Sequence, residues 1–253
     1  MVHAPNDQTP GERLMMKWKI IDTGVNSAQE NMDIDRKLLE EVGGNQQPIL
    51  HQYDWEGLCA TYGYFAKPSN LLNLEGVKRH GLKLGKRPTG GGVIFHVTDL
   101  AFSVLIPCSH PRFSLNTLDN YAFINEAVIQ AIKKFSGDQL EPKLYNNESM
   151  EQRQIGEHFC MAKPTQYDVM VNGCKIGGAA QRRTKQGFLH QGSISLAMPP
   201  LPLLNDVLRS ESNIFNAMQD VSYTLLCGDV SPKELKEARQ EMRFHLAEIL
   251  QSI

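Results

Sequence analysis

Three stretches of this 253-residue chain carry side chains whose type and spacing could do chemistry. Cys160 lies in Gly156-Glu157-His158-Phe159-Cys160-Met161. A thiolate can accept an acyl group as a thioester and pass it to an amine, which splits one difficult transfer into two easier ones. Nearby cationic groups activate such a thiol by lowering its pKa. Lys175 follows the Asn172-Gly173 dipeptide by two residues and precedes Ile176-Gly177-Gly178-Ala179-Ala180. The small neighbours leave room beside it, and its ammonium could hold an acyl carbonyl oxygen or a phosphate as a point charge. The third stretch is Arg87-Pro88-Thr89-Gly90-Gly91-Gly92, running into Val93-Ile94-Phe95-His96. Glycines let a backbone approach a ligand closely, and their exposed N–H groups can form an anion-binding nest. Taken singly, each stretch also has a plainer reading: a buried inert thiol, a solvated hairpin lysine, a tight turn and a packed histidine. No Gly-Lys-Ser/Thr follows the glycines and no GxGxxG is present, so neither a P-loop nor a dinucleotide fingerprint is read here.

The elements that must position these residues are legible from periodicity and turn chemistry. Trp18 to Asp22 reads as a first strand. Ser27-Ala28-Gln29-Glu30 matches a capping box, and apolar residues at helical spacing follow to Val42 before Gly43-Gly44. Ile49 to Tyr53 and Leu58 to Tyr62 are short strands, and Leu71 to Gly81 a short helix and loop. Gly91 to Phe95 and Ala101 to Ile106 are apolar enough for buried strands. Leu118 to Phe135 is helical. Residues 138–157 are polar and irregular and read as an exposed, mobile loop. Asn172-Gly173 is a hairpin signal between Tyr167–Val171 and Cys174–Gln181, and Phe188 to Leu196 is a further strand. Ser231-Pro232-Lys233-Glu234 opens a last helix with an N-cap, proline at its first position and a capping glutamate.

Strands and helices in this order, with no interdomain linker, predict an α+β fold in which helices flank mixed β-sheets. The expected organisation is a flexible tail over 1–16, one domain over 17–230, and a helix over 231–253 packed on it. A formal net charge of −2 argues against nucleic acid. No run of about 18 apolar residues is present, so no membrane span is expected. The five cysteines are odd in number and none forms a CxxC, which reads as free thiols in a reducing cytoplasm without a disulfide framework or a metal site.

Order along the chain adds a resemblance. Arg87-x-x-Gly90-Gly91-Gly92-x-x-Phe95-His96, then Tyr167-Asp168-Val169-x-Val171-Asn172-Gly173-x-Lys175-Ile176-x-Gly178-x-Ala180-Gln181, then Leu189-His190-Gln191-Gly192-Ser193-Ile194 resembles lipoate-protein ligase A and its LipM–LipL octanoyltransferase relatives. Trp18-Lys19-Ile20-Ile21-Asp22, Asn31-Met32-x-Ile34-Asp35 and Tyr62-Gly63-Tyr64-Phe65 fit the same family. The resemblance runs from about Trp18 to Leu196 and implies a single catalytic domain of the biotin/lipoate-ligase type. It also implies a pocket for an acyl group or acyl-adenylate lined by Arg87, Gly90, Gly91, Gly92, Val93, Ile94, Phe95, His96, Gly178, Ala179, His190 and Gly192, with Lys175 on the acyl carbonyl and no metal held by the protein. The acceptor would be a lysine of the lipoyl domain of a 2-oxoacid dehydrogenase E2 subunit, or of the glycine-cleavage H protein.

Two chemistries share that fold. Octanoyltransferases take octanoyl from an acyl carrier protein or acylated protein through a cysteine and require no cofactor; ligases use ATP and Mg to activate lipoate as an adenylate. Cys160, just ahead of the lysine hairpin, and a single helix after about residue 230 favour the cysteine transferase. An ATP-dependent ligase is the alternative, and a non-catalytic lipoyl-domain binding protein a second one. Biotin ligase is set aside because its arginine- and glycine-rich nucleotide loop is missing.

Overall fold

All nine residues of Asp99–Pro107 and all nine of Gly187–Ser195 are buried, the mark of strands covered on both faces. The computed structural model describes residues 17–44, 47–145, 165–209, 218 and 221–253. In chain order the strands are β1 (Lys19–Asn26), β2 (Ile49–Trp55), β3 (Cys59–Tyr62), β4 (Lys83–Lys86), β5 (Val93–His96), β6 (Asp99–Pro107), β7 (Lys143–Leu144), β8 (Val169–Val171), β9 (Cys174–Arg183) and β10 (Gly187–Ser195). The helices are α1 (Ala28–Glu41), α2 (Leu74–Arg79), α3 (Thr117–Phe135), α4 (Leu201–Val207) and α5 (Pro232–Gln251).

A seven-stranded sheet has the order β1-β2-β6-β10-β9-β8-β7, and a three-stranded sheet the order β4-β3-β5. β1–β2 and β3–β4 are parallel and the other pairs antiparallel. The expected mixed α+β architecture is therefore observed.

Alternation along the central strands divides the large sheet into two faces. Leu100, Phe102, Val104 and Ile106 of β6, with Phe188 and Ile194 of β10, pack against α3 and α5 in the main core. Leu105 and Leu189 point the other way, to Leu39 and Val42 at the end of α1. The small sheet has its own core, in which Val93 and Phe95 meet Val77, Leu203 and Leu204 from α2 and α4. Burying a large apolar side chain contributes roughly 1.5–3 kcal/mol. Met242, Leu246 and Leu250 of α5 are fully buried, so that helix is a structural member of the core.

Local signals hold where chemistry dictates them. Ser27 and Ser231 form complete capping boxes with Glu30 and Glu234. Asn172 and Gly173 both have positive φ, as a two-residue hairpin turn requires. Three elements escape the sequence reading: β4, β7 and α4. Lys143–Leu144, inside the stretch expected to be an exposed loop, pairs with β8 as an edge strand. Residues 146–157 of that stretch, the 1–16 tail and Cys160 lie outside the described residues.

Candidate active site

The glycine turn joins β4 to β5 and is shaped by one guanidinium. Arg87 is 3% exposed. Its Nη1 donates to Thr61 O (3.1 Å) and Thr61 Oγ1 (2.8 Å), and its Nη2 to the carbonyls of Gly90 (3.1 Å) and Gly92 (2.9 Å). A planar fork with donors in fixed directions suits this task, and a lysine could not span it. Within the triplet, Gly91 adopts φ 98°, a region that excludes ordinary side chains. A Cβ on Gly63 would collide with the Gly91 carbonyl, so the end of β3 lies directly against the turn.

Two buried polar chains run inward from the turn. In the first, Thr61 Oγ1 meets His96 Nε2 at 2.7 Å, His96 Nδ1 meets Asp99 Oδ2 at 2.8 Å, and Ser193 Oγ donates to the same oxygen at 2.7 Å. Trp55 stacks on the His96 ring with centroids 4.2 Å apart. Burial pushes the Asp99 carboxyl up, but His96, the Ser193 hydroxyl and the Arg239 charge outweigh it and hold the group below its ordinary value. Arg239 of α5 also donates to the backbone carbonyls of Asp99 and Val97. In the second chain, Thr89 Oγ1 donates to Gln191 Oε1 (2.6 Å) and Gln191 Nε2 to Asp35 Oδ2 (2.6 Å). Asp35 also takes Ser103 Oγ at 2.6 Å and meets His51 Nδ1 at 2.7 Å. The turn is thus tied to α1 through a strand of the large sheet.

Lys175 reaches this side of the sheet through an irregularity. Met170 pairs with Lys175, but Val169 pairs with Gly177, so Ile176 is one residue extra on β9. A bulge of this kind re-aims the side chains beyond it. Gly177, opposite Ile194, faces the core, and Ile176 is buried in the same core. Lys175 is thereby placed on the opposite face, with Gly178 and Ser193. Its Nζ pairs with Asp168 Oδ2 at 2.7 Å, both groups being buried. Asp168 in turn accepts from the backbone N–H and hydroxyl of Thr165. The lysine lies over Gly178: an added Cβ there would fall 2.7 Å from Nζ. Gly178 pairs with Ser193, which joins the Asp99 chain, so Lys175 and the glycine turn border one region between the two sheets.

The expected site residues divide accordingly. Arg87, Gly90, Gly91, Gly92, His96, Lys175 and Gly178 belong to this region. Val93, Ile94 and Phe95 continue the turn as β5, with Val93 and Phe95 in the small core. Ala179, His190 and Gly192 are on the other face of the large sheet. There a Cβ on Gly192 would strike the Phe102 ring, and His190 packs near Phe102 and Tyr121 with Nδ1 2.9 Å from Gln181 Nε2. Burial pushes the His190 imidazole down to about 3. The β10 side chain that faces the turn is Gln191, one position along. Thr61, Thr89, Asp99, Asp168, Gln191 and Ser193 join the candidate site through these contacts, and the motif reading did not single them out as site residues. Strict alternation from Leu189 would have found Gln191 and Ser193.

Comparison with known proteins places this geometry. A family model described as the lipoyl protein ligase A/B catalytic domain matches residues 27–223. Among curated proteins, the chain is 34% identical over 182 residues to octanoyltransferase LipM of Geobacillus kaustophilus, covering 71% of this chain and 65% of that protein. It is 32% identical over 180 residues to octanoyltransferase LipM of Staphylococcus aureus, covering 70% and 65%. These matches span just under two thirds of the relatives' own length. Among solved structures, a T. acidophilum protein described as a lipoate protein ligase, with bound lipoic acid, superposes with TM-score 0.65 at 22% identity, covering 92% of this chain and 85% of the other. A lipoate-protein ligase A bound with ATP superposes with TM-score 0.63 at 23% identity and the same coverages. At that identity the structural likeness speaks for the fold.

Proposed function

This chain belongs to the lipoyl protein ligase A/B catalytic domain family, and from that premise we propose that it transfers an octanoyl or lipoyl group to a lysine of a lipoyl domain, by way of a thioester on Cys160. The observation that carries the reading is Lys175, a buried cation turned out of the core by a bulge and laid over Gly178, which pairs with Ser193 of the Asp99 network. The similarity to octanoyltransferases LipM supports it.

In the proposed reaction the Cys160 thiolate attacks the thioester of an acylated carrier; a new carbon–sulfur bond forms and the carrier thiol leaves with a proton. Lys175 donates to the carbonyl oxygen as negative charge develops there, a contribution that requires a donor fixed in advance. The neutral amine of the acceptor lysine then attacks the enzyme thioester, the carbon–nitrogen bond forms, and the thiolate departs as the nitrogen loses its second proton. Arg87 and the glycine turn form a wall of the acyl pocket. No cofactor is needed in this route. The donor we propose is acyl carrier protein or an acylated protein, and the acceptors are E2 lipoyl domains or the glycine-cleavage H protein; a structure similar in fold comes from a study described as that of an archaeal bi-partite lipoate protein ligase and its E2 lipoyl domain. Residues 17–230 would form the catalytic domain with the last helix packed on it. Among the described residues no helix is long and apolar enough to cross a membrane, and the proposed setting is the cytoplasm.

Intact-mass spectrometry after incubation with octanoyl-carrier tests the reading. An octanoyl adduct is expected on the wild type and not on Cys160→Ser, and a chase with apo-lipoyl domain should move the mass to that domain. Absence of the adduct, together with pyrophosphate release from lipoate and MgATP that Cys160→Ala leaves intact, would replace the transferase with the ATP-dependent ligase. Capture of a lipoyl domain without transfer from either donor would leave only a binding protein.

A further inference from the structure

Asp99 Oδ1 and Ser222 Oγ are buried and have no hydrogen-bond partner among the described residues. Both residues line one cavity of about 20 Å³, whose wall also includes Phe95, Ser193, Ser195 and Met198. A space of that size holds a single water or a single ammonium head. A buried polar atom left unsatisfied costs about 1–3 kcal/mol, and more if it is charged, so the cavity is shaped for a polar occupant. An ionised carboxylate can only accept hydrogen bonds, which makes the occupant a donor. Asp99 Oδ2 is already committed to His96 and Ser193.

Two residues of the cavity wall, Ser222 and Ser193, neighbour the Lys175 region. Ser222 is bridged to Lys175 along the backbone, and Tyr223 N donates to Lys175 O at 2.8 Å. Ser193 stands opposite Gly178, over which the lysine lies. The Lys175 charge is answered by Asp168, so a second cation in the cavity would meet a neutral pair on that side.

We propose that this cavity seats the ε-ammonium of the acceptor lysine, with Asp99 Oδ1 and Ser222 Oγ as its hydrogen-bond partners. The inference rests on the reading of the chain as a transferase to a protein lysine. The role is recognition: a carboxylate is too weak a base to take a proton from an ammonium of pKa about 10.4. The seat brings the nitrogen to the carbonyl held by Lys175, and the proton is lost to solvent before attack.

A binding cycle tests it without reference to turnover. Apo-lipoyl domain and its acceptor-lysine→Met variant are titrated into the wild-type protein, Asp99→Asn and Ser222→Ala by calorimetry. The wild type should prefer the lysine form by about tenfold or more, the worth of a hydrogen bond to a charged group. Asp99→Asn should abolish most of that preference and Ser222→Ala part of it. Equal affinity of the wild type for both lipoyl domains, or full preference retained in Asp99→Asn, would overturn the seat and leave the cavity to an ordered water. If Asp99→Asn does not melt cooperatively, Ser222→Ala, which removes no charge, decides. An acyl adduct without lysine preference counts against the seat alone; lysine preference without acyl transfer supports the seat and counts against the transferase.

Discussion

Replacing Gly178 by alanine puts a methyl group where Lys175 now lies. The added carbon would stand 2.7 Å from Nζ and closer still to Cε, with Asp168 Oδ1 at 3.2 Å. Ordinary non-bonded contact lies at roughly 3.5–4.0 Å, so the end of the lysine must retreat by about 1 Å. What moves is the tip of a flexible side chain, not backbone, so the fold should survive with a small change in melting temperature. The reaction should not: a misplacement of about 1 Å in a catalytic group costs on the order of 100-fold, and loss of an oxyanion donor about 100- to 1,000-fold. The assay is single-turnover formation of the octanoyl-enzyme, followed by intact mass. Gly178→Ala should be slowed by about 100-fold, and Lys175→Met by a similar factor. The double variant should be no slower than Lys175→Met alone, because the methyl acts only through the lysine. Activity of Gly178→Ala within about threefold of wild type, or an undiminished further loss in the Lys175→Met background, would refute the geometry.

Arg87→Lys should both lower the melting temperature and slow acyl-enzyme formation, because one ammonium cannot serve Thr61, Gly90 and Gly92 together; the loss of hydrogen bonds to a charged group is worth roughly 1.5–3 kcal/mol, and an unchanged melting curve would contradict it. His190 offers a pH test. Its imidazole is pushed down by burial to about 3 from an ordinary 6.5. The unfolded chain therefore takes up a proton below about pH 6.5 that the folded chain refuses, and stability should fall by up to about 1.4 kcal/mol per pH unit on acidification. Asp99, held below its ordinary value, loses its contribution only as pH falls through the carboxylate range. Urea midpoints between about pH 6.5 and pH 4.5 should thus flatten in His190→Gln; an unchanged acid slope would place the effect elsewhere.

Much of the scaffold was legible because its signals are local. The two capping boxes, the Asn172-Gly173 turn and the helical stripe of α3 each depend on a few neighbouring residues, and each is found in the structure. β4 and β7 are short, and their pairing is decided by a partner distant in sequence, Cys59–Tyr62 for one and Val169–Leu144 contacts for the other. The site was half legible. Motif order singled out the glycine turn and Lys175, but not the face each neighbour takes. His190 was expected in the pocket; it lies on the opposite face of the sheet from Gln191, whose side chain meets Thr89 of the glycine turn, a matter of one step in a period of two. Asp168 stands in the motif yet becomes the counter-ion of Lys175 only through the hairpin fold. Arg239 reaches the Asp99 turn from 140 residues away, a separation no local pattern encodes.

The extra residue at Ile176 makes the site sensitive to counting as well as to chemistry. Substitutions around the hairpin grade the shape and charge of the region. Deleting Ile176 would restore regular pairing with β8 and keep the lysine on its present face, whereas deleting Cys174 would move the lysine opposite Val171 and turn it inward, toward the core. A length change ahead of the lysine acts as an all-or-none toggle on a strand whose composition hardly alters. Loop grafts and chimaeras between relatives can therefore keep every motif residue and still lose the cation, unless the hairpin is transplanted with its parity intact.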